Sequence, residues 1–192
     1  MSLKIAVIIA SNRPGRIGPK VADWFMAQIK DVDSLSFDLI DLAEVNLPFL
    51  DEPNPPMMGE YTKDHTKKWS ALIAGYDGYV FVTPEYNHAY PASLKNAIDY
   101  LHAEWAHKPV GFVGYGVTGA SAAIEHLVNP LVQLNMVPLL SSSVKIAQPW
   151  TAFDDKGNID PEKITVNADG LVKNLKWCAE TLKTARSQVG SN

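Results

Sequence analysis

Five short apolar runs, each set off from the next by a stretch with helical spacing, constrain this chain more than any other feature. "KIAVIIA", "YVFVTP", "PVGFVGY" and "VPLLSS" are brief and mostly β-branched or aromatic, and they read as buried strands. "SFDLIDL" alternates polar and apolar residues, as a strand nearer the sheet edge does. Between them, "PKVADWFMAQIK" places Val21, Trp24, Phe25 and Ile29 on one helical face, with Pro19 tolerated in the first turn. "TKKWSALIAGY", "PASLKNAIDYLHAEW" and "ASAAIEHLVNPLVQLNM" continue the series. The last helical stretch is "DPEKITVNADGLVKNLKWCAETLKTA", with Asp160 as N-cap and Pro161 just inside. Strand alternating with helix five times predicts an α/β fold, a parallel sheet covered on both faces. At 192 residues, with no interdomain linker or repeat, one domain is expected over 1–192.

Two segments interrupt the alternation. "LPFLDEPNPPMMGEY" is proline-rich and reads as a surface loop. "AQPWTAFDDKGNIDPEK" gathers Asp154, Asp155, Asn158 and Asp160, but without EF-hand spacing or a closing glutamate, so a polar turn is expected. The histidines His65, His88, His102, His107 and His126 show no zinc spacing, and no metal site is expected. Ser141–Ser143 reads as a strand end, not a nucleophile. Cys178, beside Trp177, reads as core packing.

The net charge of −4 argues against nucleic acid as a partner. Residues 1–22 nevertheless hold Lys4, Arg13, Arg16 and Lys20 and no acidic residue, which suggests a small anionic ligand. A single cysteine fits a reducing compartment and a cytoplasmic protein. No apolar run is long enough to span a membrane, and the N-terminal run reads as a strand instead of a signal peptide.

Three turns carry candidate chemistry. "SNRPGRIGPKVADW" follows the first strand and crowds Ser11, Arg13 and Arg16 around Gly15 and Gly18 before a helix. A helix start with glycines and forked cations suits a phosphate dianion. Taken alone, it also reads as an exposed basic turn. "TPEYNHAYPASLKNAIDYL" leaves the third strand and offers backbone amides and an aromatic edge to a planar ligand, or forms a proline-marked turn with local tyrosine packing. "GYGVTG", residues 114–119, fits G-x-G-x-x-G, yet it follows the fourth strand and lacks the acidic residue of a dinucleotide fingerprint. It reads as a close-approach turn for a ligand edge, with a purely structural turn as the alternative. In a sheet of order 2-1-3-4-5 these turns follow adjacent strands and converge at the carboxyl end, where such folds bind ligands.

On these motifs and "LPFLDEP", the chain from about Lys4 to about Lys145 resembles the NAD(P)H-dependent FMN reductase family, the flavodoxin-like group of quinone, azo-dye and chromate reductases. The resemblance implies a flavodoxin-like three-layer sandwich with a five-stranded parallel sheet. It implies FMN as cofactor and NADPH or NADH as co-substrate, with hydride passing through the flavin to a small acceptor and no catalytic side chain. Ser11, Arg13, Arg16, Ile17 and Gly18 would hold the phosphate, and Pro84, Glu85, Tyr86 and Asn87 would lie along the ring. Gly116, with Tyr115 and Gly119, would approach the ring's polar edge. Relatives usually carry a second glycine where Ala120 stands here. The resemblance further implies a homodimer or homotetramer, with Leu94, Ile98 and Leu101 as interfacial residues. The alternatives are a flavodoxin-type electron carrier and a phosphate-binding domain that holds FMN without turnover. Arginines in the loop and the modest net charge favour the reductase.

Overall fold

A computed structural model describes residues 2–29, 32–165 and 168–189. Lys30, at the end of the first helical stretch, and Val166 and Asn167, within the last, lie outside the described residues. So do Met1, Asp31 and residues 190–192 of the single domain expected over 1–192.

The strands are β1 (Leu3–Ile9), β2 (Leu35–Asp41), β3 (Gly78–Pro84), β4 (Pro109–Gly116), β5 (Val137–Pro138) and β6 (Val144–Ala147). Every pairing between them is parallel, as the alternation predicts, and the order β2-β1-β3-β4-β5 is the one the flavodoxin-like resemblance implies. The fifth strand departs from expectation. "VPLLSS" contributes only Val137 and Pro138, paired with Pro109 and Val110. The chain then turns through a 3-10 segment, Leu140–Ser142, and β6 rejoins the same side of β4 from Val113 to Gly116. Pro138 has no N–H to donate, and the Ser142 and Ser143 hydroxyls bond back to Leu139 and Leu140 carbonyls, 3.4 and 2.8 Å away. Ser141–Ser143 therefore lies in a break between two half-strands and not at a simple strand end.

Alternate residues of each central strand enter opposite cores, because successive side chains point to opposite faces. Ile5, Val7 and Ile9 meet α1 (Gly18–Gln28) and α7 (Ala168–Val189). Ala6, Ile8, Phe81 and Phe112 meet α3 (Asp64–Ala74), α4 (Ala92–Asp99) and α5 (Ser121–Gln133). A short helix, α2 (Leu42–Val45), leaves β2, and another, α6 (Pro149–Ala152), follows β6.

Two helical expectations need correction. Leu94, Ile98 and Leu101 are buried within the chain, at 1%, 0% and 1% exposure, and cannot form an interface. The reason is a clamp: the buried indoles of Trp69 and Trp105 donate to the Ala97 and Ile98 carbonyls at 2.9 and 3.1 Å, fixing that face of α4 inward. The final helical stretch is also two pieces. Asp160 does cap, accepting from the Glu162 N–H, but it opens a 3-10 turn over Pro161–Lys163, separate from α7. On α7, Cys178 is half-buried and its neighbour Trp177 is exposed, so this position is not core.

The proline-rich loop lies against α4. Asn96 donates to the Pro48 carbonyl at 2.7 Å and accepts from the Leu50 N–H, and the Tyr100 hydroxyl reaches Phe49 O. Asp154 spends its oxygens on the N–H groups of Lys156 and Asn158, which makes the acidic segment a turn.

Candidate functional site

The carboxyl ends of β1, β3 and β4 bring the three candidate turns together. One cleft of about 150 Å³ is lined by Arg13, Arg16 and Ile17 from the first, Pro84, Glu85 and Tyr86 from the second, and Tyr115 and Gly116 from the third. Pro149 and Trp150 complete its lining. Beyond Tyr86 a larger open groove of about 650 Å³ runs past Asn12, Phe49, Ser93 and Asn96. Asn87, at the exposed tip of its turn, and Ser11, Gly18 and Gly119 line neither, although Ser11 is bonded to Tyr86 and Gly18 lies against the Tyr115 hydroxyl.

The two leading turns are tied to each other. Ser11, fully buried, shares a 2.7 Å hydrogen bond with the Tyr86 hydroxyl and accepts from the Arg13 N–H at 3.3 Å. Tyr86 and Ala89 exchange backbone hydrogen bonds of 2.8 and 3.0 Å around Asn87 and His88, both at positive φ. That is the geometry of a two-residue hairpin, which Asn tolerates well. It explains why "YNHA" turns so tightly.

The two arginines divide the work. Arg16 grips Asp41 with both arms, at 2.5 and 2.6 Å, and donates to the Ser11 carbonyl at 2.6 Å. The hydrogen bond with Asp41 raises the guanidinium's pKa further, against the opposing effect of burial. Arg16 thus braces the turn and keeps only its remaining N–H groups for a ligand. Arg13 is exposed, and among the described residues its guanidinium has no partner.

Helix α1 begins at Gly18 with no side-chain cap and no acidic residue in its first turn. Its first N–H groups are free to face an anion. Elsewhere a cap is imported: the Glu85 carboxylate accepts from the Ala122 and Ala123 N–H groups at 3.0 and 3.3 Å, at the start of α5. Glu85 lines the cleft, and its carboxylate serves the helix.

The glycines of "GYGVTG" have different reasons to exist. A Cβ on Gly114 would lie 2.4 Å from the Gly119 carbonyl, and one on Gly119 would lie 2.6 Å from Lys145 Cβ. Both are required by packing, and Gly119 also sits at φ +68°. Ala120 follows at φ +60°, the conformation that a second glycine would adopt without strain. Gly116 is another matter. A Cβ there would meet nothing nearer than 3.7 Å, so no contact among the described residues requires glycine.

Tyr115 is split between two places. Its backbone stays beside Gly116, but its ring turns into the core beneath α1. A Cβ on Gly18 would sit 2.8 Å from its hydroxyl. Burial pushes the phenol's pKa up, so it stays protonated, and among the described residues the hydroxyl has no hydrogen-bond partner. The Tyr115 side chain thus points away from the ring edge where the resemblance expects it.

These features fit the two ends of FMN: a helix start with a free arginine for the phosphate, and a glycine floor for a flat ring. A family model described as NADPH-dependent FMN reductase matches residues 3–151. The chain belongs to this family. It is 38% identical over 161 residues to the NAD(P)H-dependent FMN reductase ntnL of a Nectria species, covering 79% of this chain and 78% of that one. It is 30% identical to a 2-hydroxy-1,4-benzoquinone reductase of a Burkholderia species, covering 84% and 88%. Among solved structures, the flavoenzyme NAD(P)H:(acceptor) oxidoreductase FerB of Paracoccus denitrificans superposes with a TM-score of 0.69 at 25% identity, over 95% and 98% of the two chains.

Sequence reasoning missed Asp41 and Trp150. Asp41 carried a signal, since it precedes "LAEV" and caps α2 by accepting from the Ala43 N–H. Trp150, 63% exposed, sits far along the chain from the motifs, and only the fold brings it to the cleft. His88 is exposed on the hairpin tip. Among the described residues no group of three or more His, Cys, Asp or Glu side chains could hold a metal ion, and no helix is long and apolar enough to cross a membrane.

Proposed function

We propose that this chain, acting as one domain, oxidises NADH or NADPH and delivers the electrons through FMN to a small acceptor such as a quinone, azo compound, free flavin or metal oxyanion. The observation that carries the reading is the open Cβ direction of Gly116, a glycine without an internal reason, in a cleft that also contains an unpaired arginine. When bound, FMN supplies the chemistry, accepting hydride from the nicotinamide and passing electrons onward.

The chain's residues bind and orient. Arg13 and the N–H groups of Ile17 and Gly18 would hold the phosphate, while Arg16, locked to Asp41, keeps the turn in shape. The tight hairpin at Asn87 and the backbone of Pro84–Tyr86 would support the ring, with Gly116 beneath it and Trp150 along its side. The larger groove past Tyr86 is the space assigned to the nicotinamide and then to the acceptor. Preset geometry of this kind supplies proximity, and flavin-centred transfer needs no acid–base pair.

The test is direct. The purified chain should quench FMN fluorescence on titration, NADPH should bleach the visible flavin band without oxygen, and a quinone should restore it. An electron carrier would bind FMN yet leave NADPH untouched, and failure to bind FMN would end the proposal. A cytoplasmic location agrees with the single cysteine. A homodimer or homotetramer would use surface side chains, and Phe49, which lines the groove, and Met57 and Met58 are exposed apolar candidates. Sedimentation showing a monomer at micromolar concentration would remove the oligomer.

A further inference from the structure

The flavin reading leaves one polar group at the site without a task. The Tyr115 hydroxyl is buried and, among the described residues, unpartnered, in a residue only 4% exposed. An unpaired buried hydroxyl costs stability, whereas a phenylalanine of the same shape would fill this space at no such cost. The neighbouring hydroxyls are already matched, Ser11 with Tyr86. The phenol ends under the first turn of α1, where Gly18 supplies the only residue type that leaves room, since any Cβ would meet the hydroxyl at 2.8 Å and Ile9 at 3.0 Å. Tyr115 also lines the cleft with Arg13, Arg16 and Ile17. An orphan donor, an uncapped helix start and two arginines thus meet at one point.

We propose that the Tyr115 hydroxyl donates a hydrogen bond to the phosphate of FMN from beneath the first turn of α1, and thereby makes the cleft select the phosphorylated flavin over riboflavin. The inference rests on the flavin reading above. It gives Gly18 a function as well: the glycine leaves room for the phenol's end beneath the helix start. A hydrogen bond to a dianion is among the strong ones, because the acceptor is fully charged.

The experiment compares FMN, riboflavin and inorganic phosphate on the wild-type chain and on Tyr115→Phe, by titration calorimetry, alongside denaturant unfolding of the ligand-free proteins. Tyr115→Phe should weaken FMN roughly ten- to hundredfold, leave riboflavin within about twofold, and abolish competition by inorganic phosphate. Its ligand-free unfolding midpoint should be unchanged or higher, because no internal bond is lost. Gly18→Ala displaces the hydroxyl without removing it and should likewise weaken FMN more than riboflavin. Unchanged FMN affinity in Tyr115→Phe, an equal loss for both flavins, or a lowered midpoint would each overturn the inference while leaving the flavin reading intact. A wild-type chain that binds neither flavin overturns both.

Discussion

The two ends of the sheet use the same kinds of residue in opposite ways. At the amino end, Asp77 accepts from the Lys4 N–H at 3.1 Å, from Lys183 at 2.8 Å and from Arg186 at 3.3 Å. Lys108, 7% exposed, donates to the Ile73 and Ala74 carbonyls and to the Tyr79 hydroxyl, between 3.1 and 3.3 Å. Each of these charges has its partners. At the carboxyl end, Arg13 has no partner among the described residues, Tyr115 is an orphan and α1 starts uncapped. Gly78 at the amino end is packed against Pro109 and Ile5, with a Cβ meeting atoms at 3.1 and 3.2 Å, while Gly116 has open space. Polar groups that satisfy one another hold the fold, and those left unsatisfied at a cleft are set for something that arrives later. Burial alone does not separate the two classes. Pairing does.

The contrast breaks if a change at the amino end alters flavin binding. Asp77→Ala strands the Lys4 N–H and removes the counter-charge of Lys183 and Arg186, leaving positive charge beside Lys108. A loss of about 3 kcal/mol in unfolding free energy is expected, read by urea melts. FMN affinity should stay within about twofold, and a larger change would show that the two ends are coupled.

Lys108 gives a pH signature confined to the same end. Burial, and then the charge of Arg186, lower its pKa to about 8 from the ordinary 10.5, while Asp77 and Glu104 act the other way. Between those values the unfolded chain binds more protons at this lysine than the folded one, so its contribution to stability rises with pH. From pH 8 to 9.5 the gain is roughly 1.5 kcal/mol. Cys178 and the tyrosines, whose pKa values burial raises, work in the opposite direction over and above that range. The measurement is therefore the difference in slope between wild type and Lys108→Met. Parallel slopes would show that Lys108 titrates normally.

The same contrast explains what the sequence could and could not reveal. A parallel sheet followed from the alternation of runs such as "KIAVIIA" and "YVFVTP" with helical stretches, while strand order and the convergence of the three turns followed from the flavodoxin-like arrangement that the motifs resemble. The inward clamp on α4 did not, since nothing local shows that two tryptophans more than 30 residues apart would bind its carbonyls. Arg13 and Arg16 look alike in "SNRPGRIG", yet only one is spent on Asp41, a partner 25 residues away. Which glycine of "GYGVTG" is free likewise depends on Lys145 and on the path of β4, not on the motif. Residue types in a turn name a candidate chemistry. Only the partners supplied by distant elements show which residues remain available for it.

Gly116 offers the finest cut, because it lies two residues from Gly114 and three from Gly119 in the same turn. Gly116→Ala adds one methyl where the chain has room, its nearest neighbours being Ala120 N and Glu85 Cβ at 3.7 Å. Unfolding free energy should move by no more than about 0.5 kcal/mol, as for a substitution away from any packed feature. A flat ring lying on this floor would be lifted by the methyl, and a tenfold weaker FMN affinity is expected, equal to about 1.4 kcal/mol. Riboflavin should weaken by the same factor, since the ring and not the phosphate meets the methyl. Tyr115→Phe should separate the two flavins and Gly116→Ala should not. If Gly116→Ala binds FMN as tightly as the wild type, the ring does not rest on this glycine, and the cleft holds its ligand by the phosphate end alone.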